Sequence, residues 1–179
     1  MKTLPTTLPD LRLFELEVFA DARGRLFETY RRDRYAAAGV TAEFVQDTFS
    51  TSVHGTLRGL HYQLARPQGK LVHVTRGEMF DVAVDLRAGS PTFGRWFGTL
   101  LSADNARQLW IPPGFAHGFV VTGEVADVAY KCTATYVAGD DRAIAWDDPE
   151  LAITWPLDGA PLLSPRDARA PRLREAELP

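Results

Sequence analysis

Turn signals break this chain at short intervals, and that spacing limits its fold more than any other feature. They fall at Asp21-Ala22-Arg23-Gly24, His54-Gly55, Gln68-Gly69, Arg76-Gly77, Gly89-Ser90-Pro91, Pro112-Pro113-Gly114, Thr122-Gly123 and Gly139-Asp140-Asp141. Between them lie short runs rich in Val, Phe, Tyr, Leu and Thr, such as Phe80-Asp81-Val82-Ala83-Val84-Asp85 and Val125-Ala126-Asp127-Val128-Ala129-Tyr130. β-Branched and aromatic residues suit a pleated surface, and short strands at this spacing predict an all-β sandwich or barrel. Alternation from Met79 to Leu86 puts Phe80, Val82 and Val84 on one face. A single helix is expected over Asp33–Ala38, with Asp33 as N-cap and Gly39 just past its end. After Trp155-Pro156 the chain turns proline-rich and charged. The expectation is one domain over 1–179, with 156–179 a peripheral C-terminal segment laid over it.

The length suffices to bury a core. The formal charge of −3 comes from interspersed residues of both signs, which argues against a nucleic-acid surface. No apolar run approaches a membrane span, and two prolines break the first ten residues before any signal-peptide core could form. The one cysteine, Cys132, has no internal disulfide partner, so a cytoplasmic location is expected.

Chemistry concentrates in Arg58-Gly59-Leu60-His61-Tyr62-Gln63 and Gln68-Gly69-Lys70. An Arg suits phosphate, an imidazole moves protons near neutrality, and an ammonium stabilises a developing oxyanion. Those are the needs of proton abstraction beside a carbonyl in a phosphorylated sugar. Solvated strand residues plus one satisfied His would give the same pattern. Strand parity places Leu57, Gly59, His61 and Gln63 on one face and Arg58 on the other, so a shared ligand requires a bulge or twist, which Gly59 would tolerate. By the same parity Tyr130 shares the face of Val128 and Ala126, and is the inward candidate over Lys131.

Other residues are ambiguous taken singly. His54 sits beside a turn glycine and reads as solvated, and His73 between valines as solvated or structurally satisfied. His117, after Pro112-Pro113-Gly114-Phe115-Ala116, reads equally as structure or ligand contact. A metal held by His61, His117 and Glu78 is conceivable, but the second position after His61 is Gln63 rather than the His of a His-x-His pair. Lys70 and Asp167 look like ordinary solvated charges, and Arg23 with Glu28 like a surface ion pair. Cys132 reads as buried filler, and the four tryptophans as core or interface residues.

Taken in order, longer stretches carry a resemblance. Phe19-Ala20-Asp21-Ala22-Arg23-Gly24, Phe44-Val45-Gln46-Asp47, Leu57-Arg58-Gly59-Leu60-His61-Tyr62-Gln63 and Gln68-Gly69-Lys70-Leu71-Val72 come first. Ser90-Pro91-Thr92-Phe93-Gly94, Gln108-Leu109-Trp110-Ile111-Pro112, Gly114-Phe115-Ala116-His117-Gly118-Phe119 and Tyr130-Lys131-Cys132-Thr133 follow. With these the chain resembles the dTDP-4-dehydrorhamnose 3,5-epimerases over nearly its full length. The resemblance implies a cupin-like β jelly roll (a double-stranded β-helix) with short peripheral helices, working without metal or cofactor and assembled as a homodimer. It implies a dTDP-4-keto-6-deoxyhexose substrate. His61 would be the general base, Asp167 its orienting carboxylate, Lys70 the enolate stabiliser and Tyr130 the proton donor. Arg58 and Gln46 would bind diphosphate or sugar, and His117 would line the sugar pocket. Arg23 and Glu28 would bind nucleotide, partly across the dimer interface.

Two positions depart from the family pattern. Thr48 stands where Asn is common, so a polar contact near the diphosphate is shortened or replaced. The loop Val137-Ala138-Gly139-Asp140-Asp141-Arg142 lacks the commoner proline and glutamate. Rival functions remain at this level: inversion of one sugar centre only, a non-catalytic sugar-nucleotide binding module, or a metal-dependent cupin.

Overall fold

Two long strands organise the chain in the computed structural model, which describes residues 1–179. In chain order the elements are β1 (Lys2–Leu4), β2 (Arg12–Glu15), β3 (Phe19–Asp21), β4 (Gly24–Leu26), α1 (Arg32–Ala37), β5 (Gln46–Val53) and β6 (Leu57–Gln63). They continue with β7 (Lys70–Asp85), β8 (Trp96–Ser102), β9 (Arg107–Ile111), β10 (Phe115–Cys132) and β11 (Asp141–Ala143). Short 3-10 turns follow at Asp167–Arg169 and Leu173–Glu175.

β7 and β10 pair antiparallel along most of their length, and each changes its other neighbour midway. The first part of β7 pairs with β9 and the second with β8. The first part of β10 pairs with β6 and the second with β5. One layer therefore runs β1-β2-β9-β7-β10-β5 and the facing layer β8-β7-β10-β6-β11. This is the expected jelly roll. The crossover needs Gly77, whose φ is +75°, because a Cβ there would sit 1.7 Å from the Val125 carbonyl oxygen.

Side-chain alternation on these strands creates separate apolar clusters. Leu13, Val72, Val74, Met79, Phe115, Phe119 and Val128 fill the space between the layers. Val82 and Val84, with Phe80 against them, face outward as one set, matching the predicted parity. They are covered by Ile144, Leu151, Leu173 and Trp155. Full burial of such a side chain contributes ~1.5–3 kcal/mol, so the C-terminal segment is clamped into the core. Within the segment laid over the domain, Leu173 and Asp167 are both buried.

α1 covers the outer face of the other layer, inserting Tyr35 against Phe14, Leu71 and Trp110. The helix ends as read from the sequence, with Gly39 at φ +92°. It begins differently. The N-cap is Arg31, already extended, and Asp33 lies inside the first turn, where its carboxylate accepts from Arg31 Nε at 2.9 Å. No helix is long and apolar enough to cross a membrane.

Candidate active site

The inner faces of β5, β6, β7 and β10 converge on a cavity of about 260 Å³. Gln46 and Thr48 line it from β5, His61, Tyr62 and Gln63 from β6, and Lys70 from the start of β7. Gln68, Tyr130, Tyr136 and Asp141 complete the wall. Lys70 and Tyr130 reach it because they continue the inward sets Val72–Val74 and Ala126–Val128. Lys70 Nζ lies 5.9 Å from the centre of the Tyr130 ring.

β6 resolves the parity conflict between Arg58 and His61 by a bulge. His61 pairs with His117 and Arg58 with Phe119, so three steps along β6 match two along β10. The extra residue brings Arg58 and His61 to the same side. Gly59 permits it: its φ is +130°, and a Cβ would meet the Gly118 Cα at 2.5 Å. Arg58 stays exposed just beyond the cavity wall, where its Nε donates to Ser52 Oγ at 3.0 Å.

His61 Nε2 lies 2.6 Å from Asp167 Oδ1. Burial opposes ionisation of Asp167, but the hydrogen bond and charge of His61, with Ser164 and Arg166, hold its carboxyl below the usual range. An ionised carboxylate only accepts, so Nε2 carries the proton and donates it. Nδ1 is then the basic nitrogen. The imidazole is 29% exposed and Asp167 only 3%, so the base is open to a ligand while its partner is not.

Burial pushes the Lys70 ammonium's pKa down, and the neighbouring Cys132, Asp141 and Asp81 oppose that shift. Burial also raises the Tyr130 phenol, assisted by Cys132, while Thr48 and Arg58 pull it back. Tyr130 is therefore a neutral acid near pH 7.

The structure brings His61, Asp167, Lys70, Tyr130, Gln46 and Thr48 together. It does not place His117 on the cavity wall. That side chain is buried, with its Nε2 2.7 Å from Asp81 Oδ1. Neither Arg23 nor Glu28 reaches the cavity within one chain. Arg23 pairs with Asp21 at 2.6 Å on the separate β3–β4 hairpin, and Glu28 pairs with Arg31 and Arg34. The three residues weighed as metal ligands have separate partners: Asp167 for His61, Asp81 for His117 and Thr122 for Glu78.

Sequence reasoning missed Tyr136 and Asp141. The Tyr136 hydroxyl donates to Asp141 Oδ2 at 3.1 Å, and Arg166 binds the same carboxylate at 2.5 Å. Tyr136 is 54% exposed, an aromatic face presented at the mouth. The only available signal was an aromatic residue beside the atypical loop 137–142. Gln63 explains how that loop is held: its Oε1 accepts from Val137 N at 2.7 Å, and its Nε2 donates to Arg66 O and Thr135 O.

Replacing Asp167 with Ala should lower kcat strongly, by up to ~10⁴-fold, the order lost when a carboxylate no longer holds a general-base imidazole in its productive tautomer. Steady-state kinetics test this, and near-normal turnover with an unchanged pH–rate profile would separate Asp167 from the base.

A family model described as dTDP-4-dehydrorhamnose 3,5-epimerase matches residues 5–175. A dTDP-4-dehydrorhamnose 3,5-epimerase of Pseudomonas aeruginosa is 53% identical, over 99% of this chain and 98% of that protein. The crystal structure of dTDP-6-deoxy-D-glucose-3,5-epimerase from Legionella pneumophila, in complex with dTDP-4-keto-L-rhamnose, superposes with a TM-score of 0.95 at 50% identity. It covers 97% of this chain and 93% of that one. A 3'-monoepimerase from Streptomyces bikiniensis in complex with dTDP-quinovose superposes with a TM-score of 0.89 at 33% identity, over 95% and 87% of the two chains.

Proposed function

The chain belongs to the dTDP-4-dehydrorhamnose 3,5-epimerase family, and we propose that His61, Asp167, Lys70 and Tyr130 carry its chemistry. The reaction inverts C3 and C5 of dTDP-4-dehydro-6-deoxy-D-glucose to give dTDP-4-dehydro-L-rhamnose. The C4 ketone acidifies the protons on both neighbouring carbons, because the carbanion left behind delocalises as an enolate. His61 Nδ1 takes the proton, and Asp167 holds the imidazole in its productive tautomer and stabilises the imidazolium. The Lys70 ammonium faces the C4 oxygen as it gains negative charge. Tyr130 returns a proton to the opposite face of the ring, which completes the inversion. The ketone itself is the electron sink.

One observation carries this reading. His61 projects from the layer containing β6, and Tyr130 from the facing layer beside β5, across a cavity that Lys70 also lines. A flat enolate held between them has a base on one face and an acid on the other. Gln46 and Arg58 take the sugar or diphosphate, and the exposed Tyr136 ring offers a stacking surface for the thymine.

The chain works as a homodimer in the cytoplasm. Supporting this assembly, Phe49 and Val53 on β5 and Phe19 and Leu26 on the β3–β4 hairpin are exposed apolar residues. A second copy over that surface would carry Arg23 and Glu28 of one protomer toward the cavity of the other. The unpaired, buried Cys132 suits a reducing compartment.

Tyr130→Phe tests the assignment of the acid. It retains the ring and deletes the proton, so net inversion should fall ~10²-fold, the lower end for a general acid, because water can partly replace the phenol. His61 still removes and returns protons on its own face, so exchange of substrate hydrogens with solvent should persist. Normal inversion at both centres in this variant would assign the protonation to another group.

A further inference from the structure

Thr48 occupies the position where the family pattern suggests a contact near the diphosphate, yet its surroundings point to a different role. It lies on the inner face of β5, directly opposite Tyr130 of β10 in the strand register. The neighbouring Gln46 amide is fixed in orientation. Its Oε1 accepts from the Tyr136 backbone N–H at 2.8 Å, so its Nε2 is the end that donates to Thr48 Oγ1, at 3.1 Å. A hydroxyl that is already accepting has its own proton left to give.

Its neighbours on the same face of β10 that can receive that proton are the Tyr130 phenol, directly opposite, and the Cys132 thiol, two residues further along. Burial raises the Cys132 pKa, so it remains a thiol, and its sulfur is a weak acceptor. The phenolic oxygen is the better partner. An O–H donated to that oxygen has two effects. It occupies the phenol's acceptor side, which turns the phenol's own proton away from β5 and into the cavity. It also stabilises the phenolate left after that proton has been given up, since hydrogen bonds to the charged form favour it. The other charged or titratable groups that bear on the phenol are Arg58, Asp141 and Lys70.

We infer that Thr48 is a positioning residue for the proton donor, aiming the Tyr130 phenol into the cavity through the relay Tyr136 N–H to Gln46 to Thr48 to Tyr130. This rests on the reading of Tyr130 as donor given above. Thr48 acts on the acid rather than on the reacting carbons, and in the second half of each inversion only.

The test compares wild type, Thr48→Val, Thr48→Ser, Tyr130→Phe and the Thr48→Val/Tyr130→Phe double variant, all with dTDP-4-keto-6-deoxyglucose in deuterated water. Thr48→Val keeps the side-chain shape and deletes the hydroxyl. Its kcat for inversion should fall about tenfold, the low end for a hydrogen bond to a developing charge, with hydrogen exchange retained. Its KM should stay within about twofold of wild type, because no substrate contact is removed. Thr48→Ser restores the hydroxyl and should recover kcat to within about threefold. The double variant should be no slower than Tyr130→Phe alone, since Thr48 has nothing left to aim.

A Thr48→Val variant with raised KM and intact kcat would overturn the inference and return Thr48 to the diphosphate. Losses that multiply in the double variant, or a Ser variant as slow as Val, would overturn it too. If Tyr130→Phe inverts both centres normally, the donor assignment fails and the inference falls with it. If Tyr130→Phe is impaired and Thr48→Val is not, only the role of Thr48 is refuted.

Discussion

His61→Ala lowers turnover by ~10²–10⁴, the range for a general base removed from a proton abstraction. The size follows from how completely the cavity depends on one imidazole. His117, the nearest other histidine on that side, is buried with its Nε2 on Asp81. Asp167 is buried behind His61 and cannot reach a ligand itself. Nucleotide affinity should be largely unaffected, because the diphosphate and thymine contacts are assigned to Gln46, Arg58 and Tyr136. Steady-state kinetics together with calorimetric binding of dTDP measure both quantities. A loss under tenfold would reject His61 as the base.

Lys70→Met lowers kcat by ~10²–10³, the cost of removing one preorganised donor from a developing oxyanion. The methionine keeps most of the length and apolar volume of the lysine, so packing against Tyr130 is retained while the charge is lost. The ammonium is held where water does not screen it well, which is the setting in which such a charge counts most. Because the enolate oxygen carries far more charge than the ketone, the loss should appear in kcat rather than KM. A variant with normal kcat and raised KM would make Lys70 a binding residue only.

Much of the fold was legible because its signals are local. Turn residues separated the strands, and alternation from Met79 to Leu86 gave the outward apolar set that the C-terminal segment covers. The relation of β7 and β10 to two layers was not legible. It depends on a mid-strand change of partner at Gly77, which in sequence is one more turn glycine. The site divides in the same way. His61 and Lys70 stand out by residue type on strand-like segments, but Asp167 looks like a tail charge until folding brings it across more than a hundred positions to His61. The placement of Arg58 beside His61 turned on a bulge that parity could pose but not answer. Ser90-Pro91-Thr92, part of the family resemblance, serves the fold rather than the site, since both hydroxyls donate to the buried Asp85 at 2.6 Å. Tyr136 escaped notice because a rim residue on a loop carries no periodicity, and Asp141 because the three residues of β11 are too few to show any.

The most direct measurement is the fate of solvent deuterium in the wild-type reaction. The protein is incubated with dTDP-4-keto-6-deoxyglucose in deuterated water, and the product is resolved by NMR for configuration and label at each ring carbon. Two facing proton-transfer groups around a C4 enolate require deuterium at both C3 and C5, each centre inverted, with none at C1 or C2. Label and inversion at one centre alone would reduce the activity to single-centre epimerisation, and binding without any exchange would contradict catalysis by this cavity.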